Sequence, residues 1–185
     1  MKTYDNSIKE IIYSEEIIKK RVEEIGKQIT EDYAGEELVV VGVLRGSIIF
    51  VADLIRHIDL PVILDTVALA SYYNGTESTG KVKINKDLES SITGKNVLIV
   101  EDIADRGVTL TFLTEMLQVR KAKSIKICTL LNKPSRRTIE VNLDYIGFDI
   151  EDHFVVGYGL DFAQKYRNYP HIGILKEEMY KENHE

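Results

Sequence analysis

Cysteine is nearly absent: the 185 residues hold one, Cys128, so no internal disulfide can form. Its apolar neighbours mark it as a packed thiol of the kind found in reduced, cytoplasmic proteins. Long apolar runs are missing too. The longest, such as residues 39–44, have the length of a strand, so no membrane span is expected. Residues 1–14 lack the apolar centre of a secretory leader. The four histidines are scattered without metal-ligand spacing and are expected to be structural or surface residues. Positive charge is the scarcer sign, and a net charge of −6 argues against a nucleic-acid partner held by broad phosphate neutralisation. Repeats, low-complexity tracts and linkers do not occur. What remains, 44% hydrophobic and 29% charged, is a globular composition, expected to form a single domain over 1–185 with a real core.

The rest of the chain is organised around residues 97–111, Val-Leu-Ile-Val-Glu-Asp-Ile-Ala-Asp-Arg-Gly-Val-Thr-Leu-Thr. The apolar residues 97–100 predict a buried, parallel strand, with Glu101 and Asp102 at its end. A turn carrying Asp105 and Gly107 follows, and residues 108–119 have helical spacing. This order places ligand groups at the carboxyl edge of a parallel sheet, where open α/β sheets bind ligands. The turn's N–H groups and the helix N-terminus suit a phosphate. Vicinal acids beside a phosphate cradle suggest magnesium and a sugar hydroxyl. Taken singly, each part has a plain reading: a solvated acidic edge, an ordinary Asp-x-Gly turn. The joint order E-D-x-x-D-x-G-x-T is much more specific. A receiver domain also ends a strand in paired acids, but near its start and followed by an Asp and then a Lys; here Lys133 precedes Asp144.

Ile18, Val22, Ile25 and Ile29 share one face of a helix that Ser14 would cap. Residues 38–44 read as a buried strand running into Arg45-Gly46-Ser47, with helical character over 48–58. This is a second strand-to-helix turn with a cation and a glycine. A strand is expected over 61–70, and the polar stretch 71–86 is either a lid or an exposed hairpin with Asn74-Gly75 at its tip. Further strands are expected over 124–131 and 145–148, in the apolar run 154–161 that ends in Asp161, and over 172–175. Alternating strands and helices imply a doubly wound α/β domain.

In this order the motifs Gly-Val-Leu-Arg-Gly-Ser (42–47), Ser71-Tyr72, Glu-Asp-Ile-Ala-Asp-Arg-Gly-Val-Thr (101–109), and Lys133-Pro134 with Phe-Val-Val-Gly-Tyr-Gly-Leu-Asp (154–161) resemble the bacterial hypoxanthine-guanine phosphoribosyltransferase family, from about 17 to 175. The resemblance implies the type I phosphoribosyltransferase fold: a mostly parallel sheet flanked by helices, a lid hairpin and a small hood from the C-terminal segment. It implies transfer of ribose 5-phosphate from phosphoribosyl pyrophosphate (PRPP) to a 6-oxopurine, hypoxanthine or guanine, giving IMP or GMP and pyrophosphate. It also implies a magnesium cofactor and a cytoplasmic homodimer or homotetramer. By the same resemblance Asp105, Arg106, Gly107, Val108 and Thr109 hold the 5′-phosphate, and Glu101 and Asp102 hold the ribose hydroxyls and Mg2+. Arg45, Gly46 and Arg167 meet pyrophosphate, with a non-proline cis peptide before Arg45. Lys133 donates to the purine 6-oxygen, Phe154 stacks on the base, and the Val155 backbone reads its edge. Asp161 approaches the 2-position or a second magnesium, Asp105 is the general base at N7, and Ser71-Tyr72 lead the lid.

Two residues depart from the family pattern: Arg106 stands where Thr or Ser is usual, and Asn132 where Asp is usual. A regulator binding PRPP and RNA would need a basic face; an acidic chain with an intact Lys133, Phe154 and Asp161 base pocket argues against that reading. Adenine has no 6-oxygen for Lys133; xanthine differs only at the 2-position and stays open.

Overall fold

The computed structural model describes residues 5–74 and 77–181, with the side chains of 5, 71–81 and 181 left outside that description. In chain order the elements are β1 (Ile8–Tyr13), α1 (Glu15–Asp32), β2 (Leu38–Leu44), α2 (Ile48–Leu54), β3 (Val62–Asn74), β4 (Glu77–Lys86), β5 (Asn96–Ala104), α3 (Val108–Val119), β6 (Ser124–Asn132), β7 (Tyr145–Asp149), β8 (Val155–Val156), β9 (Ile172–Leu175) and α4 (Glu178–Lys181). A six-stranded sheet has the order β4-β3-β2-β5-β6-β7. Its strands are parallel except β4, which pairs antiparallel with β3.

The central strands alternate between two cores. Leu38, Val40, Leu98 and Val100 pack on the side of α1 and α2, whereas Val39, Val41, Val97 and Ile99 pack with Leu110, Leu113 and Leu117 of α3. Both faces are covered, which is why β2 and β5 read as unbroken apolar runs instead of an apolar–polar alternation. On α1, Ile18, Val22, Ile25 and Ile29 are buried and the Ser14 hydroxyl accepts from the Ile17 N–H (3.4 Å), as the spacing and cap residue imply. The doubly wound α/β fold is therefore present.

The structure differs from the expected boundaries in physically readable ways. β5 does not stop at Val100: its pairing with β6 continues through Glu101, Ile103 and Ala104, so the two acids lie inside the strand. α2 ends at Leu54, and the chain to 58 continues as single turns bonded to Val51, Asp53 and Leu54 carbonyls. The stretch 71–86, polar as it is, is mostly strand, paired as a hairpin from Ala68–Lys86 out to Asn74–Glu77. Of its expected tip, Gly75 lies outside the described residues. The run 154–161 yields only two strand residues, because Gly157 (φ 101°) and Tyr158 (φ 48°) turn the chain back. The hood is a correction of another kind. It is a three-stranded antiparallel sheet, β1-β9-β8, so the N-terminal segment supplies one of its strands alongside the C-terminal ones.

Candidate active site

From β2 the chain moves outward to β3, and β5 then enters on the other side of β2. The carboxyl ends of β2 and β5 thus flank the switch point of the sheet, where ligands bind in such folds. A cleft of ≈ 450 Å³ opens there, lined by Arg45 and Gly46 after β2, Glu101 and Asp102 in β5, residues 105–109 before and in α3, Arg136, and the hood residues Asp161 and Arg167. Leu44-Arg45 is a cis peptide. A Cβ on Gly46 would overlap the Asp102 carboxylate, so a larger residue here would have to displace that side chain from the cleft.

Glu101 is buried, and its carboxyl is pushed well above the ordinary value by burial first and by the negative Asp102 next to it. Burial also raises Asp102, against partial relief from hydrogen bonds to Glu101 and the Ile103 N–H and from the charge of Arg167. Two adjacent carboxylates held so uncomfortably call for a cation. Among the described residues no group of three or more His, Cys, Asp or Glu side chains surrounds a metal position. Glu101 and Asp102 offer two carboxyl side chains, a small donor set of the kind that would suit an ion such as Mg2+, which keeps waters and shares substrate oxygens.

The loop before α3 is held from behind. Arg137 donates to the carbonyls of Asp105 (Nε, 2.9 Å) and Ala104 (Nη2, 3.1 Å), and the N–H groups of Thr138 and Ile139 bond to the Arg106 carbonyl (3.0 and 3.1 Å). With its carbonyls engaged on that side, the loop has a backbone arrangement suited to presenting N–H groups to an anion. Gly107 makes the turn at φ 89°, with no room for a Cβ against the Ile139 carbonyl. Asp105 Oδ1 is buried without a hydrogen-bond donor, and Arg136 Nε lies 3.4 Å from it.

A family model described as the phosphoribosyl transferase domain matches residues 9–163. The chain belongs to the phosphoribosyltransferase family. It is 49% identical over 176 residues to the hypoxanthine-guanine phosphoribosyltransferase of Bacillus subtilis, covering 95% of this chain and 98% of that one. It is 51% identical over 175 residues to the enzyme of the same name from Staphylococcus aureus, with the same coverages. A crystal structure of a hypoxanthine phosphoribosyltransferase from Staphylococcus aureus superposes with a TM-score of 0.94 at 50% identity, over 97% of each chain.

Within this phosphoribosyltransferase cleft the structure gathers eleven of the sequence-derived residues: Arg45, Gly46, Glu101, Asp102, Asp105, Arg106, Gly107, Val108, Thr109, Asp161 and Arg167. Arg106 is exposed on the cleft wall. Asp161 lines the cleft with its Oδ1 paired with Arg167 (2.7 Å) and its Oδ2 accepting from the Gln164 N–H (2.8 Å). Lys133, Phe154 and Val155 stand beside the cleft, where β6 meets the hood. Lys133 is buried, its ammonium donating to the His153 carbonyl (2.7 Å) next to Phe154. The Leu175 N–H bonds to the Phe154 carbonyl (2.9 Å), making that pair hydrogen-bonded. Antiparallel alternation then turns the N–H and C=O of Val155 away from β9, to the open edge of the hood sheet. Ser71 and Tyr72 lie on β3, with their side chains outside the description.

Sequence reasoning missed Arg136, Arg137 and Gln164. Gln164 Oε1 accepts from both Arg45 (3.2 Å) and Arg167 (3.3 Å), joining the two cations across the cleft. Nothing local in an Arg-Arg or Ala-Gln pair marks these roles; they depend on which loops the fold brings together. Asn132, the second departure, accepts from Arg137 Nη2 (2.5 Å) and donates to Asp149 (2.7 Å), keeping the hydrogen bonds an Asp would offer to Arg137.

Proposed function

We propose that the protein is a magnesium-dependent hypoxanthine-guanine phosphoribosyltransferase, converting PRPP and hypoxanthine or guanine to IMP or GMP and pyrophosphate. The observation that carries this reading is the common cleft: a clamped phosphate loop, the adjacent carboxyls of buried Glu101 and half-buried Asp102, two convergent arginines, and an Asp105 oxygen that receives no hydrogen bond and has Arg136 beside it. The N–H groups of 106–109 and the Thr109 hydroxyl hold the 5′-phosphate. Glu101 and Asp102 hold the ribose hydroxyls and the metal, whose charge balances the polyphosphate. Arg45, the Gly46 backbone and Arg167 take the charge that grows on departing pyrophosphate. On the base side Lys133 meets the 6-oxygen, Phe154 the ring face and Val155 the ring edge. Asp105 Oδ1 accepts the proton from N7, completing the hydrogen bond it lacks. Ser71 and Tyr72 lead a hairpin that closes the site against water. We place the enzyme in the cytoplasm as a homodimer or homotetramer, which sedimentation tests.

A product assay with PRPP, Mg2+ and each of hypoxanthine, guanine, xanthine and adenine tests the reading. IMP and GMP are expected, with no AMP. Chelation by EDTA is expected to abolish nearly all turnover, restored by added Mg2+; full turnover in EDTA removes the metal role from Glu101 and Asp102.

A further inference from the structure

The C-terminal turn lies beyond the matched family domain, which ends at 163, yet it returns to the base side of the cleft. After β9 the chain is tied back by Lys176 N–H to the Ser7 carbonyl (3.0 Å) and winds into α4, whose Met179 and Tyr180 pack on the hood core beside Phe162. The Tyr180 ring stacks on the Phe154 ring, with centroids 5.0 Å apart and planes 21° apart. Phe162 meets Phe154 edge-on at 5.6 Å. Phe154 is still 40% exposed, so a parallel ring covers one of its faces while surface is left for a second stacking partner. A phenyl ring anchored only through Cβ would turn freely; the neighbouring rings set its plane.

We propose that Tyr180 is a positioning residue of the purine site: it backs Phe154 and fixes the plane on which the base stacks. This rests on the reading of Phe154 as the purine-stacking residue. The three rings form one aromatic shelf, and the base becomes its fourth member, adding a stacked layer to a surface already ordered. Tyr180 itself touches no substrate. Its effect should therefore fall on the base and spare PRPP, because among the described residues no hydrogen bond or ion pair joins α4 to the phosphate loop, the carboxylates or the arginines.

Steady-state kinetics of wild type, Tyr180→Ala and Tyr180→Phe with hypoxanthine and PRPP test this. Tyr180→Ala is expected to raise KM for hypoxanthine about threefold to tenfold, the range an aromatic pair is worth. KM for PRPP should stay within about twofold, and Tyr180→Phe, which keeps the ring, should restore the wild-type value. A hypoxanthine KM in Tyr180→Ala that is unchanged or lower overturns the proposal. So does an equal rise in both KM values, the mark of a generally loosened hood, since Asp161 and Arg167 also belong to it. A wild-type enzyme inactive with every 6-oxopurine would instead bring down the functional reading itself, and is told apart by that control.

Discussion

Single side chains carry the sharpest consequences of this geometry. Lys133 is a cation with almost no exposure, its ammonium engaged by one backbone carbonyl and by Asp152 at 3.5 Å, which leaves one of its three hydrogens for a ligand beside Phe154. Lys133→Ala is expected to lower kcat/KM for hypoxanthine by roughly tenfold to a hundredfold, the value of about 1.5–3 kcal/mol for a charged hydrogen bond. KM for PRPP should barely move; an unchanged purine KM returns Lys133 to a purely structural role. Asp105 offers a second test, because its buried Oδ1 lacks a donor. Asp105→Asn keeps the size and places an amide where the basic oxygen stood, so kcat should fall about a hundredfold or more if that oxygen takes the N7 proton. Wild-type kcat in the variant would leave Asp105 a loop-former. Arg106 is the residue the family pattern does not supply. Exposed on the cleft wall, it can reach the 5′-phosphate only as a screened partner, and Arg106→Thr is expected to raise KM for PRPP by about fivefold. Titrating salt should move the wild-type KM more steeply than the variant's; parallel slopes would exclude Arg106 as a phosphate ligand.

At the scale of elements, the phosphate loop shows what a motif conveys and what it leaves out. Strand, turn and helix around Asp105–Gly107 were legible because each follows from local chemistry: apolar run, turn residue, helical spacing. The same held for β2, α1 and α3, whose periodicity reflects packing against a sheet covered on both faces. What holds the loop was not legible. Arg137, Thr138 and Ile139 reach it from a segment some thirty residues away, and no spacing rule links them to it. β1 escaped notice for a related reason: its burial is irregular, with Ile8 buried and Ile11 about half exposed, so it has no alternation to read and is a strand only because β9 lies beside it. The Ile139 carbonyl crowds Gly107, which sits at φ 89°. Gly107→Ala must therefore adopt a left-handed backbone, at roughly 1–2 kcal/mol, and displace the clamp as well. KM for PRPP should rise by about tenfold or more while far-UV circular dichroism stays that of the folded enzyme. A PRPP KM equal to wild type would show that the loop tolerates the shift and that its N–H groups do not need this turn.

For the whole molecule, the question is what joins the long β3–β4 hairpin to the body of the sheet. Asp65, buried near the start of β3, accepts from the N–H groups of Thr66 (2.7 Å) and Glu89 (2.8 Å) and faces Lys86 at 3.4 Å, so one carboxylate ties β3, the end of β4 and the connection into β5. Burial works against its charge, but the hydrogen bonds from Thr66, Glu89, Lys86 and Ser90 outweigh it and hold the carboxyl below the ordinary aspartate value. The sign of the pH effect follows. An unfolded aspartate titrates near 3.9, and the folded one lower, so the stabilisation is complete above about pH 4 and is lost as pH falls through the folded value. Asp32, hydrogen-bonded to Tyr145 and Lys126, and Asp87, held by Arg120, are lowered in the same direction and share this acid limb. Asp65→Asn turns an amide N–H₂ or a weaker acceptor toward four donors. At pH 7 it is expected to cost about 2 kcal/mol, or roughly 4–8 °C in Tm for a chain of this size. Thermal melts from pH 7 down to pH 3 should show the gap between variant and wild type closing as wild-type Asp65 becomes protonated. A gap that stays constant to pH 3 would mean that the cost of the variant is packing alone, and that the charge of Asp65 does not hold the hairpin to the sheet.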